Sequence, residues 1–215
     1  MVRPALRRVA RPEEASRPRV ARLDRDRSLV DAARVDPARF DALYRKYVAQ
    51  VYSYAIYELR DQHEAEDATA RTFLDALAGL PRFQERAGDG DGEGASTFRI
   101  WLFRIARNVI AQRRRARRRR PEAELELAAA TSDPTQLADV EGTVIRRETA
   151  SSALRAVDRL RGDRRRAVIL RFVHEMSTAE IAGVLGRSEG AVRVLIHRGL
   201  RRVAGDLRDH RADRP

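Results

Sequence analysis

Apolar residues recur at helical spacing in two blocks of the chain, residues 36–120 and 143–205. In each block they follow the i, i+3, i+4, i+7 pattern of amphipathic helices, and no segment alternates between apolar and polar residues as a half-buried strand does. The first block holds three predicted helices, with start and stop signals at Asp36-Pro37, Asp61, Gly79, Pro81 and Ser96-Thr97. The pattern therefore predicts an all-α protein.

The second block contains the clearest local motif of the chain. Ser177 and Glu180 have the spacing of a capping box, Gly186 can take the left-handed conformation that ends a helix, and Ser188 can cap the next helix. Ala182 allows two helices to cross closely. The predicted core between them consists of Ile181, Leu185, Val192 and Leu195. This pattern predicts a helix-turn-helix.

The helix before this motif has less distinct limits. Gly162-Asp163 interrupts the helical period, with Asp163 as the predicted N-cap, and the helix is expected to end near Glu175.

Composition narrows the function. The 215 residues carry a net charge of +12 and no cysteine, which excludes disulfides, thiolate nucleophiles and cysteine zinc sites. No apolar run has the length of about 18 residues that a transmembrane helix needs, and the N-terminus lacks a signal-peptide core. We expect a cytoplasmic protein with a polyanionic partner. Of the 44 basic residues only Lys46 is lysine. Such a preference for arginine is also expected of a GC-rich genome, so the number of arginines by itself overstates the evidence for nucleic-acid binding.

Charge is distributed in blocks, which predicts domain boundaries. Net charge is +5 over 1–35, +5 over 36–120, −6 over 121–142 and +8 over 143–215. We expect the following divisions: a disordered basic extension (1–35), a helical domain (36–120), a flexible acidic linker (121–142), a helix-turn-helix domain (143–205) and a tail (206–215). The extension is either a basic arm on DNA or a loose tail.

The third helix of the first block has an unusual outer face. Cations, an amide and an aromatic ring share it: Arg99, Phe103, Arg104, Arg107 and Asn108. Arginine neutralises phosphates, and aromatic rings stack on unpaired bases, so this face fits melted DNA. The alternative is a solvated arginine face with Phe103 packed on a neighbour. The run Arg113–Arg120, seven arginines in eight positions, is either a phosphate contact or a basic linker.

The second helix of the helix-turn-helix has the residues of a major-groove reader. Arginine can bind guanine and valine can contact the thymine methyl group. The predicted outward residues are Glu189, Gly190, Arg193, Val194, His197 and Arg198, with Arg187, Arg201 and Arg202 suited to phosphates.

Enzymatic and metal-dependent functions find little support. The loop 88–96 resembles the first half of a calcium-binding loop, but Ile100 occupies the position of its last carboxylate, so we expect a mobile acidic loop. There is no P-loop, no HExxH and no carboxylate cluster at metal-ligand spacing. We expect no enzyme, no metal and no cofactor.

Together, the motifs resemble bacterial RNA polymerase sigma factors of the two-domain extracytoplasmic-function (ECF) type. The resemblance covers about residues 38–120 and 143–205. It rests on Phe40 to Tyr44, Ala65-Glu66-Asp67, Thr72-Phe73-Leu74, Phe98 to Asn108, Ser177 to Ala182, Ser188-Glu189-Gly190 and His197-Arg198.

The resemblance implies three surfaces. Contact with core RNA polymerase falls on Glu66, Asp67, Thr72 and Phe73. Recognition and melting of the −10 promoter element fall on Trp101, Phe103, Arg104, Arg107, Asn108, Arg113 and Arg114. Reading of the −35 element falls on Arg187, Ser188, Glu189, Arg193, Val194, His197 and Arg198. An anti-sigma factor is implied as a further partner, and the protein is expected to be a monomer.

Some positions depart from the family pattern. Ala70-Arg71 stands where Gln-Glu is common, which reverses a charge at the polymerase face. Val194 and Leu195 stand where Ser and Arg are common, so the upstream sequence preference is not carried over.

The alternative function is a helix-turn-helix repressor or activator with an N-terminal dimerisation or sensor domain. It accounts for the second block but not for the aromatic and arginine face of the first. It predicts dimers on palindromic sites, whereas a sigma factor binds an asymmetric promoter as a monomer.

Overall fold

The computed structural model describes residues 26–84, 96–119 and 153–212, and every regular element in these ranges is helical. The helices are α1 (Arg27–Val35), α2 (Phe40–Leu59), α3 (Gln62–Gly79), α4 (Thr97–Arg118), α5 (153–158), α6 (Gly162–Phe172), α7 (Thr178–Leu185) and α8 (Glu189–Ala212). Two short 3₁₀ turns, Pro37–Arg39 and Leu80–Arg82, flank the helices of the first block. The predicted all-α class is confirmed for the described residues.

The predicted helix starts of the first block are confirmed by side-chain caps. Asp61 accepts a hydrogen bond from the Glu64 amide at 2.9 Å, and Ser96 accepts one from the Arg99 amide at 3.1 Å. Asp36 caps the 3₁₀ turn rather than α2 itself, which begins at Phe40. These caps satisfy amides that have no partner within the helix.

The first block packs α2, α3 and α4 around one apolar core. Its fully enclosed side chains include Leu43, Tyr54, Phe98 and Leu102. They come from the apolar stripes that the periodicity predicts, because residues three and four apart share a helix face.

The N-terminal boundary differs from the expected one. Residues 27–35, expected to be disordered, form α1, which buries Val30 and Ala33 against this core. Asp26, at its start, is fully buried and accepts a hydrogen bond from the Ser96 hydroxyl at 2.6 Å and others from Tyr47 and Lys46. Burial, followed by the Asp26 hydrogen bond, raises the pKa of Tyr47. The disordered extension predicted for residues 1–25 lies outside the described residues.

The helix-turn-helix is confirmed in detail. Ser177 accepts from the Glu180 amide at 3.1 Å, and Glu180 accepts from the Ser177 amide at 2.8 Å, which completes the capping box. Gly186 has φ 66° and ψ 42°, the left-handed conformation that a side chain would disfavour. Ser188 caps α8 by accepting from the Ala191 amide at 3.2 Å.

Three boundaries in the second block differ from the prediction. α6 begins at Gly162, so Asp163 lies in its first turn and pairs with Arg166 and Arg187 instead of capping the helix. α6 ends at Phe172, three residues before Glu175. α8 continues past residue 205, because Asp206 is buried and pairs with Arg202 at 3.1 Å.

The two blocks pack against each other. α7 lies on α4 and α6 touches α2, and buried residues from both blocks form one contiguous apolar core. A second, smaller cluster holds the second block together through Ala156, Leu160, Val168 and Val203. The predicted linker 121–142 and the loop preceding Ser96 lie outside the described residues, so the expected tether between the domains is not tested.

Candidate functional site

The outer face of α8 presents the side chains predicted to read DNA. Arg193 is 69% exposed and pairs with Glu189 at 3.1 Å, while Val194, His197 and Arg198 are also exposed. They lie together because positions 193, 194, 197 and 198 share one side of a helix whose other side buries Val192. This face combines cations with an apolar group and does not pack against the protein core.

The start of α4 lines an open cleft of about 440 Å³. Trp101 lies at its wall, with its ring centroid 4.9 Å from that of Phe83 and 5.7 Å from that of Phe98. Exposed Arg104 and Arg82 also line it. Asn108, one turn further, is exposed as well. An aromatic wall beside guanidinium groups can hold a flat, negatively charged ligand such as a nucleotide.

Phe103 does not lie on this face, so the prediction that it is exposed is wrong. Its ring is fully buried, 5.5 Å between centroids from Tyr54 and 5.5 Å from His174. The alternative packing of Phe103 on a neighbour is the correct one. Phe103 shares its side of α4 with the buried residues Ala106 and Ile110, and the ring of His174 from the second block packs against it.

Arginines predicted to bind DNA are partly engaged inside the protein. Arg107 donates to the Val184 carbonyl at 2.8 Å, and Arg113 donates to Glu64 at 2.7 Å. Arg114 pairs with Glu58 at 3.0 Å. Burial is the largest single effect and lowers the pKa of Arg113, but the hydrogen bonds and charges of Glu64 and Asp67 together outweigh it, so the net change is upward. For Arg114, burial prevails and the pKa is lowered.

The predicted polymerase-facing residues of α3 fall on two different sides of the helix. Glu66 and Asp67 are exposed, and the Asp67 side chain is 70% accessible. Thr72 and Phe73 are buried: the Thr72 hydroxyl donates to the Ala68 carbonyl at 2.7 Å, and Phe73 packs edge-to-face on Tyr44. Thr72 and Phe73 are therefore packed inside the domain. Of these four predicted residues, only Glu66 and Asp67 are accessible to a partner.

An exposed apolar strip beside Asp67 was not singled out from the sequence. Leu74 is 62% exposed, and Leu77 and Tyr44 are also accessible. Leu74 follows Asp67 by seven residues and therefore lies on the same face two turns later. An apolar residue on the polar side of an amphipathic helix is the sequence signal that could have identified Leu74.

Glu58 is a second feature that the sequence reasoning missed. Its carboxylate is buried between Arg114 of α4 and Arg165 and Arg166 of α6, at 3.0, 3.3 and 3.4 Å. Its position seven residues after Val51, on the buried face of α2, was the available signal. Ion pairing with three guanidinium groups offsets the free-energy cost of removing the Glu58 carboxylate from water.

His174 is buried where the second block packs against α2 and α4. Its ring packs against Tyr54 and Phe103. Burial, with a smaller effect from Arg99, lowers its pKa to about 4, so it is neutral near pH 7. Its backbone carbonyl accepts a hydrogen bond from Arg99.

Metal and membrane sites find no support in the part of the chain that the structure describes. Within it, no group of three histidine or acidic side chains could hold a metal ion. Across the same ranges, none of the helices combines the length and apolarity needed to cross a membrane.

Family models match both blocks. The model described as sigma-70 region 2 matches residues 43–120, and the model described as sigma-70, region 4 matches residues 151–203.

Several curated proteins resemble most of the chain. The ECF RNA polymerase sigma factor BldN of Streptomyces coelicolor is 33% identical over 84% of this chain, and the chain spans 65% of BldN. The RNA polymerase sigma-H factor of Pseudomonas aeruginosa is 30% identical over 81% of this chain and 90% of its own length. The ECF RNA polymerase sigma factor SigW of Bacillus subtilis is 26% identical over 76% of this chain and 86% of its own length.

Solved structures share the fold. CnrH, in complex with the cytosolic domain of CnrY, has a TM-score of 0.59 at 23% identity and covers 88% of this chain and 99% of its own. The sigma factor RpoE, in complex with the anti-sigma factor NepR from Bartonella quintana, has a TM-score of 0.56 at 20% identity. It covers 81% of this chain and 98% of its own.

Proposed function

The chain belongs to the RNA polymerase sigma factors of the ECF type, and we propose that it joins bacterial core RNA polymerase and directs it to two-element promoters. The observation that carries this proposal is the presence of both regions in one chain, region 2 over 43–120 and region 4 over 151–203. A helix-turn-helix repressor or activator with an N-terminal dimerisation or sensor domain would not need sigma-70 region 2, so that alternative does not account for the match over 43–120.

The helix-turn-helix is the −35 reader in this proposal. Helix α8 enters the major groove with Arg193, Val194, His197 and Arg198. At the N-terminal end of α8, the phosphate backbone is approached by Arg187 and Ser188. The exposure of this face supports the assignment. Glu189, paired with Arg193, holds that guanidinium in position before DNA arrives.

The first domain captures the melted −10 element. Trp101 offers a stacking surface, Arg104 and Arg107 neutralise phosphates, and Asn108 can hydrogen-bond a base edge. Unstacking a base costs a few kcal/mol, which contacts of this kind offset. Arg113 and Arg114 belong to this surface only when released from Glu64 and Glu58.

The exposed side of α3 is the contact with core polymerase. Glu66 and Asp67 supply the charge, and Leu74 adds apolar area beside them. Thr72 and Phe73 support this surface from inside the domain. An interface with a small apolar centre and a charged rim is a common arrangement for specific protein contacts.

An anti-sigma factor is a further partner in this proposal. RpoE forms a complex with an anti-sigma factor, and we assign this chain an anti-sigma partner too.

The proposed domain limits follow the helices. The first domain extends from α1 to the end of α4 and the second from α5 to the end of α8, with the intervening acidic segment as a linker. The protein acts as a monomer in the cytoplasm, catalyses no reaction of its own and needs no cofactor.

The test is reconstitution with core polymerase. The full chain is mixed with purified bacterial core RNA polymerase, and the complex is separated by size exclusion before transcription from a genomic fragment library. A complex that starts transcripts at a shared two-element sequence is the expected result. Failure to bind core polymerase, together with dimeric binding to duplex DNA, would overturn the proposal in favour of a repressor.

A further inference from the structure

Helix α1 contacts the aromatic wall that Phe83 and Trp101 form in the cleft at the start of α4. The Arg34 guanidinium, near the C-terminal end of α1, donates hydrogen bonds to the Phe83 carbonyl and, at 3.4 Å, to the Leu80 carbonyl. It also lies 5.6 Å from the centroid of the Phe83 ring. One side chain of α1 therefore holds both the backbone and the ring of Phe83, although 49 residues separate the two in sequence.

The carbonyl groups that Arg34 binds lie just beyond the end of α3. The chain leaves α3 through the 3₁₀ turn Leu80–Arg82, after which Phe83 is extended, with φ −62° and ψ 127°. Carbonyl groups at the C-terminal end of a helix have no partner within the helix and attract cations. Arg34 supplies both the donors and the positive charge that this part of the backbone favours.

Phe83 in turn positions Trp101. The Phe83 side chain is buried, and its ring centroid lies 4.9 Å from that of Trp101, with the two planes tilted by 44°. A Cβ at Gly79 would lie 3.0 Å from Cζ2 of the indole, so Trp101 also packs closely on the end of α3. Trp101 itself stays partly exposed in the cleft. The orientation of the indole thus depends on Phe83, and the position of Phe83 depends on Arg34.

The other end of α1 is attached to the start of α4. Asp26, immediately before α1, accepts a hydrogen bond from the Ser96 hydroxyl at 2.6 Å. Ser96 is also the N-cap of α4, since its side chain accepts from the Arg99 amide at 3.1 Å. Helix α1 therefore connects the two segments that carry the aromatic wall, the residues after α3 and the first turns of α4.

We propose that Arg34 is a positioning residue of the −10 surface, which fixes the Phe83 ring against Trp101 and so keeps the indole oriented to stack on an unpaired base. This inference rests on the proposed function, because it takes Trp101 as the stacking surface. A ring that is already held in its binding orientation loses less conformational freedom when a base stacks on it, which strengthens the contact. Arg34 acts through Phe83 and Trp101, without touching DNA.

Fluorescence tests the structural part of this proposal, because Trp101 is the single tryptophan of the chain. Arg34→Met keeps an unbranched side chain and removes the guanidinium. In the free full-length protein we expect emission at longer wavelength and stronger quenching by acrylamide, since a released Phe83 leaves the indole more exposed to water. Arg34→Lys, which retains a cationic donor, should restore most of the wild-type emission. The matched control, Arg27→Met, removes the other arginine paired with Asp31 on α1 and should leave the emission unchanged.

Promoter binding tests the functional part. Each variant is reconstituted with bacterial core RNA polymerase and titrated with two fluorescein-labelled probes of the promoter that the reconstitution experiment selects. In the first probe mismatches keep the −10 element unpaired, and the second is a duplex that carries only the −35 element. We expect Arg34→Met to bind the first probe at least about fivefold more weakly, the lower end of what stacking one base on an aromatic ring contributes. Binding to the second probe should not change.

A double-mutant cycle separates positioning from a general loss of stability. If Arg34 acts through Phe83, Arg34→Met should weaken binding to the unpaired probe in the wild-type chain but add little in the Phe83→Leu chain. Additive losses would overturn the proposal, because they would show that Arg34 acts independently of Phe83. Should Arg34→Met not fold, Arg34→Lys and Phe83→Leu decide the matter: unchanged Trp101 emission and unchanged binding in Phe83→Leu would overturn the role of this wall.

Failure of the proposal and failure of the proposed function are distinguishable. Unchanged Trp101 emission in Arg34→Met would overturn the link between Arg34 and the indole. Altered emission with unchanged binding to the unpaired probe would overturn the role of Arg34 in capturing the −10 element. If the wild-type protein itself does not bind core polymerase, the proposed function fails, and the positioning role fails with it whatever the Trp101 emission shows.

Discussion

Arg113 of α4 donates a hydrogen bond to Glu64 of α3 at 2.7 Å and contacts Asp67 at 3.3 Å. The arginine-rich end of the proposed DNA surface is therefore coupled to the acidic face proposed for core polymerase. Binding of Asp67 by polymerase would remove one of the two carboxylates that hold Arg113 and favour its release toward DNA.

Asp67→Lys should weaken binding to core polymerase by about tenfold or more, because it reverses a charge within the proposed interface. The thermal unfolding midpoint should change little, since exposed ion pairs contribute only about 0–1 kcal/mol. Affinity by biolayer interferometry and melting by circular dichroism measure the two effects. The matched control is Asp41→Lys, an exposed acidic residue on α2 that pairs with Arg45. Equal losses in the two variants would remove Asp67 from the interface.

Arg193→Ala should cost about 1–3 kcal/mol in binding to the specific −35 duplex if Arg193 reads a base. Titration against the selected promoter and a scrambled duplex separates base reading from phosphate contact. Arg201→Ala, an exposed arginine on the same helix, should weaken both duplexes alike and reduce the salt dependence. A uniform loss for Arg193→Ala as well would make it a phosphate contact.

Ser177→Ala should lower the free energy of unfolding by about 1 kcal/mol, because it leaves the Glu180 amide without its cap. Urea denaturation of the full chain measures the change. Ser53→Ala, in the middle of α2, provides the comparison, since alanine is at least as favourable there. An unchanged midpoint for Ser177→Ala would mean that water replaces the cap without loss.

His174 should make stability fall with acidification between about pH 6.5 and pH 4. Its folded pKa of about 4 lies below the ordinary 6.5, so the unfolded chain takes up a proton in this range while the folded chain does not. The slope contributed is at most about 1.4 kcal/mol per pH unit. Denaturation at a series of pH values should be flatter for His174→Phe than for wild type. The exposed-histidine variant His63→Gln should keep the wild-type slope, and parallel curves for His174→Phe would contradict the prediction.

Glu58→Gln should lower the free energy of unfolding by about 3–5 kcal/mol, because removal of one member of a buried ionic cluster leaves the others uncompensated. The measurement is chemical denaturation, with Asp41→Asn as the exposed-pair control. A loss as small as that of the control would show that Arg114, Arg165 and Arg166 find water or other carboxylates instead.

The helices and their caps could be predicted because their causes are local. Asp61, Ser96, Ser177 and Gly186 act on amides or dihedral angles within a few residues, and apolar periodicity marks the buried side of each helix. The helix-turn-helix and the exposed face around Arg193 follow from the same short-range rules. Helix α1 was missed and the second domain was ended too early, since Asp26 and Asp206 are polar residues that become buried only through packing against Ser96 and Arg159.

The helical elements, the helix-turn-helix and the resemblance to sigma factors all follow from the order of amino acids along the chain. Which arginines are exposed and which are paired with carboxylates depends on how the helices pack. An arginine on a helix has the same local pattern whether it faces water, a phosphate or a carboxylate. Arg113 and Glu64 are 49 residues apart in sequence, and Arg165 and Glu58 are 107 apart. Their pairing depends on how α4 packs against α3 and how α6 packs against α2, and no periodicity within a single helix contains that information.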